Sequence, residues 1–118
     1  MDNTKNGNDN IEVGDINFDK MNGLVPAIIQ DHLSHQVLMV GYMNLEAFER
    51  TIKSDVVTFF SRTNNKLWTK GETSGNFLKV ISMTTDCDMD TILIEASTLG
   101  EGNACHEGTV SCFTKPIK

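Results

Sequence analysis

Three cysteines, Cys87, Cys105 and Cys112, are the residues of this chain best suited to chemistry. Three thiolates match the number of protein ligands that a catalytic zinc takes, with a fourth position left for water. The stretch Cys105-His-Glu-Gly-Thr-Val-Ser-Cys112 reads as irregular chain, the kind that wraps an ion. An odd number of cysteines cannot pair off within one chain, and a reducing compartment disfavours disulfides. Spacing alone leaves buried thiols and a metal site both open, because Cys-x6-Cys is no standard finger pattern. Three thiolates would also leave the ion site with a net negative charge. A water bound there is less acidified than in a three-histidine site, so a nearby base helps. His106, beside Cys105, is the candidate base; the alternative is a surface histidine.

A second group is Asp86-Cys-Asp-Met-Asp90. Three carboxylates in five residues repel one another, so a cation is expected to compensate them. Oxygen-only ligands suit Mg²⁺ or Ca²⁺. If the segment stays extended, the aspartates share one face and Cys87 points to the other. An acidic turn is the alternative reading. The segment is not an EF-hand, since Ser97 stands where the loop's twelfth-position glutamate belongs.

The third group runs from Ser61 to Gly75 and combines Arg62, Lys66 and Lys70 with Trp68, hydroxyls and two glycines. Glycine lets backbone N–H groups approach a phosphate closely. Trp68 is suited to stacking on a base or to filling a core, and the cations are equally at home on a solvated hairpin. His32 and His35 fall in an expected turn and read as loop residues. Two zinc signatures are absent: Val110 stands where H-E-x-x-H needs its second histidine, and the H-x-E with P-C-x-x-C pattern is missing.

Charge frames these groups. The chain has 118 residues and a net charge of −6, with no long Lys/Arg cluster, so a nucleic-acid partner is not expected. An acidic protein that binds a phosphorylated ligand must supply a local cationic site, a divalent metal, or both. No apolar run approaches the roughly 18 residues of a membrane span. The polar start, with no basic-then-apolar leader, sets the cytoplasm as the expected compartment.

The elements that must position these groups are short. Residues 1–20 read as a flexible tail and 21–118 as a single domain. Val25 to Gln30 and Gln36 to Val40 predict a hairpin, with Pro26 marking an edge or a strand start. Asn44 predicts an N-cap, and Leu45, Phe48 and Ile52 recur at helical spacing up to Ser54. Glu46 with Arg50 and Glu49 with Lys53 are favourably ordered i,i+4 pairs. Val56 to Ser61, Lys66 to Lys70, Phe77 to Thr84 and Thr91 to Ser97 predict further strands. The expected fold is a strand-rich α+β domain, a mixed, folded sheet in hairpins with one main helix over about 44–54.

Taken in order, Gly23-Leu-Val-Pro-Ala27, Val37-Leu-Met, Tyr42-Met-Asn44, Phe60-Ser-Arg62, Leu67-Trp68, Lys70-Gly-Glu-Thr-Ser-Gly75, Asp86-Cys-Asp88 with Asp90, Ala104-Cys-His106 and Ser111-Cys-Phe113 resemble the phosphoribosyl-AMP cyclohydrolase family of histidine biosynthesis. The resemblance covers about residues 21–113. It implies hydrolysis of N1-(5-phosphoribosyl)-AMP by zinc-activated water, opening the purine between N1 and C6. It implies one catalytic zinc per subunit on Cys87, Cys105 and Cys112, and magnesium on Asp86, Asp88 and Asp90. Ser61, Arg62, Trp68, Lys70, Gly71, Glu72, Thr73, Ser74 and Gly75 would line the substrate site, with His106 as the catalytic base. It further implies an intertwined homodimer whose zinc sites take cysteines from both subunits, and relatives in some cases fused to a pyrophosphohydrolase domain. Met89 departs from the family pattern, where Gly or another turn-former is frequent. Asn103, Glu107, Thr109 and Val110 depart where Pro, Thr and basic residues are frequent.

Two rival readings remain at this level. A non-catalytic zinc-binding module would close its site with four ligands and have no use for the Lys70–Gly75 loop. Another purine hydrolase or deaminase would release ammonia, whereas ring opening keeps the nitrogen as a carboxamide.

Overall fold

Period-two alternation places the core strands. Val25, Ala27 and Ile29 are buried on β1 (Val25–Asp31), and Ile92, Ile94 and Ala96 on β6 (Ile92–Thr98), in a computed structural model that describes residues 11–118. Between them lie β2 (Val37–Met43), the helix α1 (Leu45–Ser54), β3 (Thr58–Ser61), β4 (Lys66–Thr69) and β5 (Leu78–Thr85). The fold is α+β, with six strands and one main helix, as expected. A four-stranded sheet runs β2-β1-β6-β5, and β3 with β4 forms a two-stranded ribbon. The pairs β1–β2, β3–β4 and β5–β6 are antiparallel hairpins, while β1 and β6 pair in parallel, which makes the four-stranded sheet mixed.

Pro26 marks a strand start rather than an edge. β1 lies inside the sheet, and its pairing with β6 begins one residue later, at Ala27 opposite Ile92. The proline therefore sits before the parallel ladder and breaks no rung of it.

The helix begins where the sequence predicts. Asn44 is extended, and its side-chain oxygen accepts the Ala47 N–H at 2.8 Å. Asp55, in the left-handed region at φ 61°, ends the helix. The buried face differs from the expected stripe: Ala47, Phe48 and Thr51 are buried, whereas Leu45 and Ile52 are nearly half exposed. Thr51 takes the inner position because its hydroxyl donates to the Ala47 carbonyl and accepts the Thr58 N–H, both at 2.9 Å, pinning α1 to β3. Of the two expected ion pairs, Glu46 and Arg50 meet at 3.9 Å on the exposed face, where such a pair is worth little. Glu49 and Lys53 form no ion pair among the described residues.

Phe59, fully buried, holds the ribbon to the sheet. A Cβ at Gly41 would lie 2.5 Å from the Phe59 ring, so the ring rests on bare backbone of β2. Burying such a ring stabilises the contact by roughly 1.5–3 kcal/mol. Trp68 of β4 packs against the same ring, with centroids 5.7 Å apart.

Of the tail expected over residues 1–20, the first ten lie outside the described residues. Val13–Asp15 and Asp19–Met21 form short 3-10 turns, and Ile16 is buried in the core. The Asn17 N–H donates to the Met89 carbonyl at 2.7 Å, laying this segment against the turn after β5.

Candidate active site and metal centres

The three aspartates come together, but not on an extended segment. Along a strand, Asp86 and Asp90 would stand roughly 13 Å apart, at about 3.3 Å per residue. Instead residues 86–90 form a turn with Met89 at φ 60°. One oxygen each from Asp86, Asp88 and Asp90 then falls within 4.8 Å of the others. Asp86 Oδ1 accepts the N–H groups of Asp90 and Thr91 at 3.1 and 3.2 Å, so this carboxylate also builds the turn. The cation facing the cluster is Lys20, whose Nζ is 3.0 Å from Asp88 Oδ2 and 2.6 Å from Asp90 Oδ2. The hydrogen bond from Lys20 holds the Asp88 carboxyl down at about 2. The two aspartates in turn raise the Lys20 ammonium well above its ordinary value. Cluster and acidic turn, alternatives in the sequence, coexist here.

The three thiols are free and do not gather in one place: among the described residues, the aspartates form the single cluster of three ligand-type groups. Cys87 borders a cavity of about 620 Å³ lined largely by apolar side chains, including Ile16, Phe48, Ile52 and Met83. Cys105 and Cys112 sit together elsewhere. A small turn closes where the Gly108 N–H donates to the Cys105 carbonyl at 3.0 Å, and the Ala104 N–H donates to the Val110 carbonyl at 3.0 Å. Cys112 is stitched to β2 by its own N–H, which donates to the Leu38 carbonyl at 2.7 Å, and by the buried Ser111 hydroxyl on the Val37 carbonyl, also 2.7 Å. The Glu107 N–H and the Thr109 hydroxyl lower the Cys105 thiol, and a hydrogen bond from Cys112 adds to this. Burial first, then the Cys105 contact, push the Cys112 thiol up. Of the two, Cys105 is the better prepared to be a thiolate.

A second cavity, about 430 Å³, collects much of the expected site. Trp68, Lys70, Gly71, Thr73, Ser74, Cys105 and His106 line it. Ser61, Arg62, Glu72 and Gly75 do not. Arg62 instead stacks on the Tyr42 ring at 4.0 Å, and the Ser61 hydroxyl accepts the Asn64 N–H at 3.1 Å in the β3–β4 turn. His32 and His35 lie in the β1–β2 turn region, as expected.

Lys70 decides what this cavity can bind. It is only 8% exposed, and among the described residues its ammonium makes no ion pair or side-chain hydrogen bond. Its Nζ lies 6.0 Å from the Trp68 ring centroid, and its charge favours the Cys112 thiolate. A buried cation without a carboxylate partner is costly unless an anion answers it. Gly71 to Ser74 beside it supply a turn with backbone N–H groups, the Gly75 N–H donating to the Gly71 carbonyl at 2.7 Å. Asn76 and Glu101, which the sequence does not mark, and Asn103, visible there only as a departure from the family pattern, also line the cavity. They carry no spacing signal, because they come from two loops brought together only by the β5–β6 pairing.

The family model for phosphoribosyl-AMP cyclohydrolase matches residues 39–114. The chain belongs to this family. Similar proteins include the histidine biosynthesis bifunctional protein HisIE of Bacteroides thetaiotaomicron, 59% identical over 99 residues, and that of Escherichia coli K12, 54% identical over 99 residues. Each alignment covers 84% of this chain and 48% of the relative, so the chain spans about half the length of the curated relatives it matches. The match takes in both loops of the second cavity, the acidic turn and all three cysteines. No helix among the described residues is long and apolar enough to cross a membrane.

Proposed function

We propose that this chain hydrolyses N1-(5-phosphoribosyl)-AMP at the N1–C6 bond, giving the formimino-aminoimidazole-carboxamide ribotide of histidine biosynthesis. The observation that carries the reading is Lys70, a buried cation with no ion pair among the described residues, in the same cavity as Cys105 and His106. The family membership supplies the substrate class. Lys70 and the turn beside it at Gly71, Thr73 and Ser74 receive a phosphate, Trp68 offers a ring for the purine, and Ser61, Arg62, Glu72 and Gly75 belong to the wider substrate surface. His106 accepts the proton of the attacking water, within the cavity that holds the base. A protein group near N1 returns a proton as the ring opens.

The donor chemistry fits zinc at the thiols and magnesium at the acidic turn. Zinc held by Cys87, Cys105 and Cys112 would acidify a water enough for attack at neutral pH. Because Cys87 borders a different cavity from Cys105, a complete set needs Cys87 of one chain beside Cys105 and Cys112 of another. That arrangement supports an intertwined homodimer with one zinc per subunit. Nearly half-exposed Leu45 and Ile52, the latter beside Cys87, are consistent with a covered face there. Asp86, Asp88 and Asp90 would hold magnesium after Lys20 gives way, helping to offset substrate phosphates on a chain of net charge −6. The cytoplasm is the proposed compartment.

The test follows ultraviolet absorbance and ammonia together, with phosphoribosyl-AMP, zinc and magnesium supplied. An absorbance change without ammonia is expected. Ammonia release would make the chain a deaminase, and no turnover would end the proposal.

A further inference from the structure

The pairing of β5 with β6 runs past the strands into the two loops of the second cavity, and there its pattern changes. Leu78 faces Thr98, and the next rung is intact: the Leu99 N–H donates to the Phe77 carbonyl at 2.8 Å. In an antiparallel ladder the hydrogen-bonded pairs alternate, so the following rung should join the Glu101 N–H to the Gly75 carbonyl. It does not form. Gly75, at φ 81°, turns away to close the 71–75 turn. The Glu101 N–H donates instead to Asn76 Oδ1 at 2.8 Å. The side-chain oxygen stands in for the missing carbonyl.

The fit around this bond is tight. Gly100 has φ 76°, and a Cβ there would lie 2.6 Å from both Asn76 Oδ1 and the Gly75 carbonyl oxygen. Loop 100–103 therefore rests directly on the end of the 71–75 turn. The first loop leads into Cys105 and His106, and the turn carries Gly71, Thr73 and Ser74 next to Lys70.

We propose that Asn76 is a positioning residue: its side chain completes the ladder between the two loops and sets the width of the cavity shared by Lys70 and His106. The proposal rests on the reading of this cavity as the substrate site. Asn76 has no role in the proton transfers. A loss of its oxygen should weaken substrate binding more than the chemical step, because the phosphate-side turn drifts relative to His106. A displacement of this kind is enough to lower productive binding.

The experiment uses the zinc-loaded full chain and two readouts. Amide exchange at Glu101 reports the bond itself, without reference to catalysis. In Asn76→Ala the Glu101 amide should exchange about two- to ten-fold faster, the factor that a net hydrogen bond of ordinary strength represents. Asn76→Asp keeps the acceptor and should restore the protection, though its charge opposes an anionic substrate. With phosphoribosyl-AMP, Asn76→Ala should raise KM about ten-fold with kcat changed less than three-fold and zinc content unchanged. Gly100→Ala, which attacks the same contact from the opposite loop, serves if Asn76→Ala does not fold. Unchanged Glu101 exchange in Asn76→Ala would overturn the lock. Faster exchange with KM unmoved would overturn its role in the site. Inactivity of the unaltered chain would instead strike the proposed function, leaving the exchange result to judge the lock.

Discussion

The acidic turn and the thiol sites are two ways of assembling a metal-binding group from one short chain. Asp86, Asp88 and Asp90 need only a five-residue turn to bring their oxygens within 4.8 Å. Cys105 and Cys112 meet because separate backbone bonds shape the loop and tie it to β2, and Cys87 stays with another cavity. The first group is local and can form wherever its turn forms. The second depends on tertiary and, in our reading, quaternary structure. Electrostatics follow the same division. The aspartates carry their own counter-ion in Lys20, whereas the cavity beside Cys105 contains a lysine with no ion-pair partner among the described residues.

Substitutions can break this contrast, the largest effect coming at the thiols. Cys105→Ala should remove zinc and lower kcat by more than roughly 10³-fold, since in the proposed reaction the zinc would activate the attacking water. Full activity with zinc still bound would refute the ligand assignment. His106→Ala should keep zinc and lower kcat by roughly 10²–10⁴-fold, the range for a general base. An unchanged rate would leave it a bystander.

Lys70→Met should raise KM for the phosphorylated substrate by roughly 10–100-fold, the worth of a hydrogen bond to a charged group. It should not lower the melting temperature, because a buried charge with no ion pair among the described residues is removed. A large fall in stability would show that Lys70 serves the core instead.

The acidic turn should respond more mildly. Lys20→Ala should tighten Mg²⁺ binding, read by titration calorimetry, because the ammonium competes for Asp88 and Asp90. It should also change the acid limb of stability measured in chelator. Asp88 has a folded pKa of about 2, below its unfolded value, so its contribution is present above the unfolded value near 3.8. That contribution disappears as pH falls through the folded value, and it should be smaller in Lys20→Ala. Met89→Asn should add about 0.5–1 kcal/mol in chemical denaturation, since Met89 occupies the left-handed region that favours Gly and Asn.

How much of this could be read from the sequence follows the same line between local and non-local. The Asn44 cap, the α1 limits, the β3–β4 hairpin and the carboxylate cluster are set by residues a few positions apart. The inner face of α1 was misplaced because Thr51 is buried for its bonds to Ala47 and Thr58, which no hydrophobic period encodes. Pro26 left an edge or a strand start open because the parallel partner of its strand lies more than sixty residues away. Met89 was visible as a departure, and its φ gives the physical reason a turn-former suits that position. Lys70 was one cation among three in the sequence. Its burial beside Trp68 sets it apart, and burial depends on the β4 end meeting Val57, whose carbonyl accepts the Lys70 N–H at 3.0 Å. Asn76 gave no signal, since its partner Glu101 is set by the β5–β6 register.

The most direct test of the division between a local and a shared site is complementation. Cys87→Ala and Cys105→Ala chains, each inactive alone, are unfolded, mixed in equal amounts and refolded with zinc. If each site joins Cys87 of one subunit to Cys105 and Cys112 of the other, every mixed dimer holds one intact site. Random pairing of a two-fold dimer then restores about a quarter of the unaltered activity. A mixture as inactive as its parents, from chains shown to have exchanged subunits, would contradict the shared site.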